Sequence, residues 1–153
     1  MLLQDRDGVC GKFAVANALI SLGVDVSLDD LSVIGRVAKT TQKNGTSKAG
    51  IVRVIKHYSA KPVRYKSKNK QNAWRWIIKW SSTYPVIVLV DSGDIWGHWG
   101  TVVGRIGKRV IFVDPSYPNG AGGLIQNNVH SLSKDEFMGM WSFNNSFYAI
   151  RVS

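Results

Sequence analysis

Residues 86–113 read VIVLVDSGDIWGHWGTVVGRIGKRVIFV, and the periodicity of this stretch decides the fold class. Val86-Ile87-Val88-Leu89-Val90 is a continuous apolar run, too short for a typical helix and rich in branched side chains, so it predicts a buried strand. Thr101-Val102-Val103 and Val110-Ile111-Phe112-Val113 predict two more strands, with a hairpin turn at Ile106-Gly107-Lys108 between them. Upstream the period becomes three to four. Phe13, Ala14, Ala18 and Leu22 share one face of a helix from Cys10 to Leu22, with Gly23 as its stop. Ser27-Leu28-Asp29-Asp30 sets an acid three residues after a capping serine, the start of a second helix reaching about Lys39.

Gly45-Thr46-Ser47 opens a third helix, whose apolar stripe is Ile51, Val52, Ile55 and Tyr58. Pro62-Val63-Arg64-Tyr65 reads as a short strand, and Lys66 to Gln71 as a polar connector into a helix bearing Trp74, Ile77 and Ile78. Beyond Asp114-Pro115, a loop rich in glycine and asparagine, Ser116 to Asn128, is expected to be mobile. Ser133-Lys134-Asp135-Glu136 repeats the capping pattern before a short helix to Trp141, and Phe147 to Val152 finishes as a strand. Helices come first and an antiparallel sheet second, an α+β arrangement without the βαβ alternation of nucleotide-binding folds.

At 153 residues, with 44% apolar and 20% charged residues, the chain is expected to form one domain spanning 1–153 around one core. No stretch approaches the ~18 apolar residues a membrane-spanning helix needs, and Met1 to Asp7 has no signal-peptide pattern. One cysteine permits no internal disulfide, which suits a reducing compartment, and a cytoplasmic location is expected. The net charge of +10 is regional: residues 31–90 hold thirteen Lys or Arg and no Asp or Glu. Such a surface attracts an acidic partner, nucleic acid or anionic lipid, or else merely keeps the chain solvated.

A thiol acts as a nucleophile in its thiolate form, and a cysteine opening a helix gains stabilisation of that anion from the helix dipole and unpaired backbone N–H groups. Cys10 has this position, although a lone cysteine is more often a small buried hydrophobe. Gly8 and Gly11 would leave room beside the sulfur for a substrate backbone. A nucleophilic cysteine needs a base, and the base needs an orienting partner. His98 at the start of one predicted strand and Asp114 at the end of the next lie nine and seven residues from Gly107, so a bulge would set them side by side. Singly, His98 could be a core histidine between Trp96 and Trp99, and Asp114 a turn former before Pro115. His57 and His130 have no evident acidic partner and read as surface residues.

Gln4-Asp5-Arg6-Asp7-Gly8-Val9-Cys10-Gly11, followed by a helix of small residues, resembles the opening of the C39 peptidases, papain-like domains that trim double-glycine leader peptides at bacteriocin exporters. The resemblance continues in order through Ser27 to Leu31, Gly45-Thr46-Ser47, Pro85-Val86-Ile87, Gly97-His98-Trp99, Val113-Asp114-Pro115 and Leu132 to Phe137, as far as Trp141. It implies a papain-like cysteine protease fold, Cys10 as nucleophile, His98 as base, Asp114 as orienter and Gln4 as oxyanion donor. A peptide or protein substrate is implied, and no metal or organic cofactor is called for. The lysine-rich stretch before Trp74 and the Ser116–Asn128 loop look longer than the family needs, and no transporter segment follows Ser153, which fits either a free-standing enzyme or one domain of an exporter.

Two other functions compete with a peptidase. The same triad serves a deamidase, transamidase or isopeptidase acting on other proteins. From a different class, the basic region with Tyr58, Tyr65, Trp74, Trp76 and Trp80 suits a nucleic-acid-binding module. An amphipathic helix with Trp74, Ile77 and Ile78 buried and its lysines in water is the simpler reading of that region.

Overall fold

The computed structural model describes residues 9–91, 97–115 and 128–153. In chain order these form α1 (Cys10–Ser21), α2 (Leu28–Ala38), α3 (Lys48–His57), β1 (Pro62–Ser67), α4 (Lys70–Trp80), β2 (Val86–Val90), β3 (His98–Ile106), β4 (Arg109–Val113), β5 (Val129–Leu132), α5 (Lys134–Met140) and β6 (Phe147–Val152). The strands make one sheet in the order β1-β6-β2-β3-β4-β5, antiparallel throughout. Gln4 and residues 116–127 of the expected mobile loop lie outside the described residues.

The sheet has a core on each face. All five residues of β2 are buried, as its continuous apolar run requires for a strand covered on both sides. Ile87 and Leu89 join Tyr148, Ile150 and Val152 of β6 in a core with α1, α2 and α3. Val86, Val88 and Val90 join Phe147 and Ala149 in a second core with Ala73 and Ile77 of α4 and Phe137, Met138 and Trp141. The period-two alternation along β2 and β6 sends successive side chains to opposite cores. The α+β expectation holds in a fuller form: α4 and α5 cover the second face, and the first half of the chain supplies an edge strand, β1, paired with β6.

Both capping boxes form. The Ser27 side chain accepts from the Asp30 N–H, and the Ser27 N–H donates to Asp30 Oδ2 at 2.9 Å. At α5, the Ser133 N–H donates to Glu136 Oε2 at 2.7 Å, and the Ser133 hydroxyl takes the Glu136 N–H. Elsewhere the boundaries move. β1 runs on to Ser67 and α4 begins at Lys70, because Asn69 caps that helix by accepting from the Asn72 N–H. The connector expected over 66–71 thus shrinks to two residues. The helix α1 is not one-sided: Gly11 and every residue from Phe13 to Leu19 are buried, since α2 and α3 flank it on one side and the sheet on the other.

Candidate functional site

Three segments converge on Cys10: the start of α1, the start of β3 and the end of β4. One side chain of β3 ties it to α1 and another to the segment before α3. The Thr101 hydroxyl donates to the Ala14 carbonyl at 2.8 Å, and the Trp99 indole N–H donates to the Thr46 carbonyl at 2.9 Å; both bonds are buried. Buried polar groups left unpaired cost about 1–3 kcal/mol each, so the Thr101 bond fixes where α1 lies along β3 and the Trp99 bond fixes the segment beside it. Thr101 is the one polar side chain among the buried residues of that strand, a sequence signal for a cross-element bond that its strand assignment alone does not use.

Gly11 permits the close approach. A methyl group there would come 2.5 Å from Thr46 Cβ and 3.0 Å from the Trp99 ring. The space at Gly11 is therefore filled by the protein itself rather than left for a substrate backbone. Gly11→Ala is expected to lower stability by about 1–3 kcal/mol through overpacking, against the gain of ~1 kcal/mol that alanine brings to a helix. Urea unfolding reads this directly, and an unchanged midpoint would show that Thr46 gives way. At the entry to β3, Gly97 has φ +69 with the Phe143 ring 2.9 Å from where its Cβ would sit, so only glycine fits the turn into His98.

A bulge brings His98 and Asp114 to the same face. Near the hairpin Ile106 pairs with Arg109, Arg105 with Val110 and Gly104 with Ile111, but farther on Val102 pairs with Phe112 and Thr101 with Val113. Val103 is the extra residue. Carried one step further, the register sets Asp114 opposite Gly100, two residues from His98 and so on its side of the sheet. Without the bulge Asp114 would stand opposite Thr101, and His98 would point to the other face.

The result is a direct bond, His98 Nε2 to Asp114 Oδ1, at 2.7 Å. Cys10, at the start of α1, lies close enough to His98 to favour the charged imidazole. The side chain of His98 is 12% exposed and that of Asp114 31%, while Cys10 is partly exposed. Burial, the largest single influence on His98, disfavours its charged form. The hydrogen bond to Asp114, the nearby Cys10 and the charge of Asp114 outweigh it, raising the His98 pKa from 6.5 to about 9.

Cys10 is the first residue of α1. The preceding Val9 caps nothing with its side chain, and the first turn holds no acid, so the positive end of the helix is not neutralised from within. Among the described residues, no group of three or more His, Cys, Asp or Glu is arranged to hold a metal ion, and no helix is long and apolar enough to cross a membrane. His57 and His130 are both exposed, the latter on β5, an edge strand that sequence reasoning missed because His130 and Ser131 break its apolar pattern.

No family model matches the chain, and no curated protein matches it. Solved structures do. The peptidase domain of Streptococcus ComA, a bi-functional ABC transporter involved in quorum sensing, is 24% identical with a TM-score of 0.72, over 99% of this chain and 96% of that one. The ComA peptidase domain of Streptococcus mutans is 24% identical with a TM-score of 0.62, over 99% of this chain and 98% of that one. A double-glycine motif protease from an AMS/PCAT transporter, solved in complex with the leader peptide, is 16% identical with a TM-score of 0.68, over 100% of this chain and 91% of that one. The chain has the fold of these C39-like peptidase domains, the papain-like α+β fold that the resemblance at Cys10, His98 and Asp114 implied.

Proposed function

We propose that residues 1–153 form one cysteine peptidase domain that cleaves a peptide bond through Cys10, His98 and Asp114. The observation that supports this reading is the 2.7 Å bond between Asp114 and His98, with the His98 pKa raised to about 9 by Asp114 and by a thiol at the first residue of α1. A protonated imidazole beside a sulfur at a helix N-terminus favours the thiolate.

The thiolate attacks the carbonyl carbon, and the oxyanion takes hydrogen bonds from backbone N–H groups at the start of α1. Gln4, six residues before Cys10, supplies a side-chain amide to the same oxyanion in this reading. His98 then gives its proton to the leaving amine as the carbon–nitrogen bond breaks, leaving a thioester on Cys10. Water attacks the thioester with His98 accepting its proton, and the carboxylic acid leaves. Asp114 holds the ring orientation through Nε2 and stabilises the imidazolium throughout.

The substrate class proposed is a peptide with a double-glycine leader, supported by the shared fold with a protease solved holding such a leader. A synthetic peptide carrying a Gly-Gly junction, incubated with the wild type and with Cys10→Ala, tests the reading by mass spectrometry. Two fragments from the wild type and none from the variant are expected. A product of unchanged length bearing a new carboxylate would instead identify a deamidase, and one joined to an added amine a transamidase.

A further inference from the structure

The proposed peptidase makes no use of the basic region. All thirteen Lys and Arg side chains between residues 31 and 90 are exposed, so none is consumed in the core. Most are scattered, but one group surrounds a concavity. Between β1 and α4 lies an open groove of about 470 Å³, lined by Tyr65, Lys66, Asn72, Arg75, Trp76 and Lys79 with Ser67. Arg75 and Lys79 are four residues apart on α4 and so lie on one face, while Lys66 approaches from β1.

Aromatic rings share this groove with the cations. Tyr65 and Trp76 stack with centroids 4.4 Å apart and planes 17° from parallel, and both are only partly buried. Both rings rest on the second core, whose centre on α4 is Ala73 and Ile77, and keep part of their surface open. Trp80, by comparison, is occupied: the Arg151 guanidinium lies 4.1 Å from its ring and the Lys79 ammonium 4.8 Å. Among the described residues no acid lines the groove. On α5, which packs against α4, Glu136 is paired with Arg109 at 3.3 Å.

We infer that the β1–α4 groove binds single-stranded nucleic acid, its phosphates against Lys66, Arg75 and Lys79 and a base continuing the Tyr65–Trp76 stack. The combination selects this partner. An acidic peptide would use the cations and leave the stacked rings without a role, and a lipid surface favours a flat or convex face over a groove. A cationic groove carrying a stacking platform is what sequence-tolerant single-strand binding requires. The sheet order sets β1 three strands from β3, about 14 Å away along the sheet, so this surface is separate from Cys10 and His98.

Fluorescence anisotropy with a labelled twelve-nucleotide single strand, using the full chain, tests the inference. Kd is expected to rise with salt with a log–log slope of at least about 2, from roughly 0.7 per neutralised phosphate and three cations. Trp76→Ala is expected to weaken binding about tenfold, the scale of one base stacked on an aromatic. Arg75→Glu, at an exposed position, is expected to weaken it at least as much, and it carries the test if Trp76→Ala fails to fold. Arg36→Glu, an exposed charge on α2 across the sheet, is expected to change Kd less than twofold. Equal losses from Arg36→Glu and Arg75→Glu would mean diffuse attraction, and full affinity in a folded Trp76→Ala would remove the stacking platform. Displacement of the strand by polyglutamate at equal charge concentration, or no measurable binding in low salt, would also overturn the inference.

Discussion

His98→Ala is expected to lower peptide cleavage by about 10³-fold or more, and to slow alkylation of Cys10 by iodoacetamide at pH 6 by about 100-fold. The two numbers have different origins. The proposed mechanism uses His98 twice, once to give the leaving amine its proton and once to take a proton from water, and triad members removed singly cost 10³-fold or more in enzymes of this chemistry. Alkylation needs only the thiolate. Without the imidazolium, the helix terminus would be the remaining support for a thiolate at Cys10. A variant that keeps its fold and labels as fast as the wild type would remove His98 from the site.

Asp114→Ala is expected to lower kcat about 10²-fold or more, and Asp114→Asn by less, because an amide oxygen can still accept from Nε2–H at the position of Oδ1. The pH profile separates charge from orientation. In the wild type His98 keeps its proton up to about pH 9, so kcat/KM is expected to fall on the alkaline side with a limb near that value. Asp114→Asn retains a hydrogen bond but removes the negative charge, and the limb should move to lower pH. Asp114→Ala removes both, and its limb should move further. An unmoved limb in both variants would show that Asp114 does not act through His98.

The same shift gives stability a pH dependence of defined sign. The folded His98 pKa of about 9 lies above the unfolded value of 6.5, so the folded state binds the extra proton. Its contribution, on the order of 3 kcal/mol, is fully present below pH 6.5 and is lost as pH rises through 9. Urea midpoints measured between pH 6 and 10 should fall across that window in the wild type and not in His98→Ala.

Features governed by neighbours a few residues away were readable from the sequence. Ser27 and Ser133 cap helices through bonds to residues three positions on, so both capping boxes could be written down before any fold was known. Val86–Val90 announced a strand buried on both faces, and Cys10, His98 and Asp114 were singled out by residue type, predicted element and resemblance. Local pattern failed where distant chain decided the outcome. His130 and Ser131 carry no strand pattern, yet they form an edge strand because β4 offers them a ladder. Gly11 suggested open space for a ligand, but Thr46 and Trp99, from elsewhere in the chain, occupy it. Tyr65 and Trp76 were grouped with the other aromatics of the basic region by composition alone, and only the meeting of β1 with α4 stacks one on the other.

By itself, then, the sequence determined two capped helix starts, the central strands and the three candidate residues, because capping, burial and side-chain chemistry are local properties. Tertiary structure alone decided that His98 and Asp114 meet. A single extra residue at Val103 sets the face of the sheet on which Asp114 finds His98, and the buried bond from Thr101 to Ala14 sets where the helix that begins at Cys10 comes to rest. Side-chain direction in a strand reverses with every residue, so whether Asp114 reaches His98 depends on a register that only the assembled sheet defines.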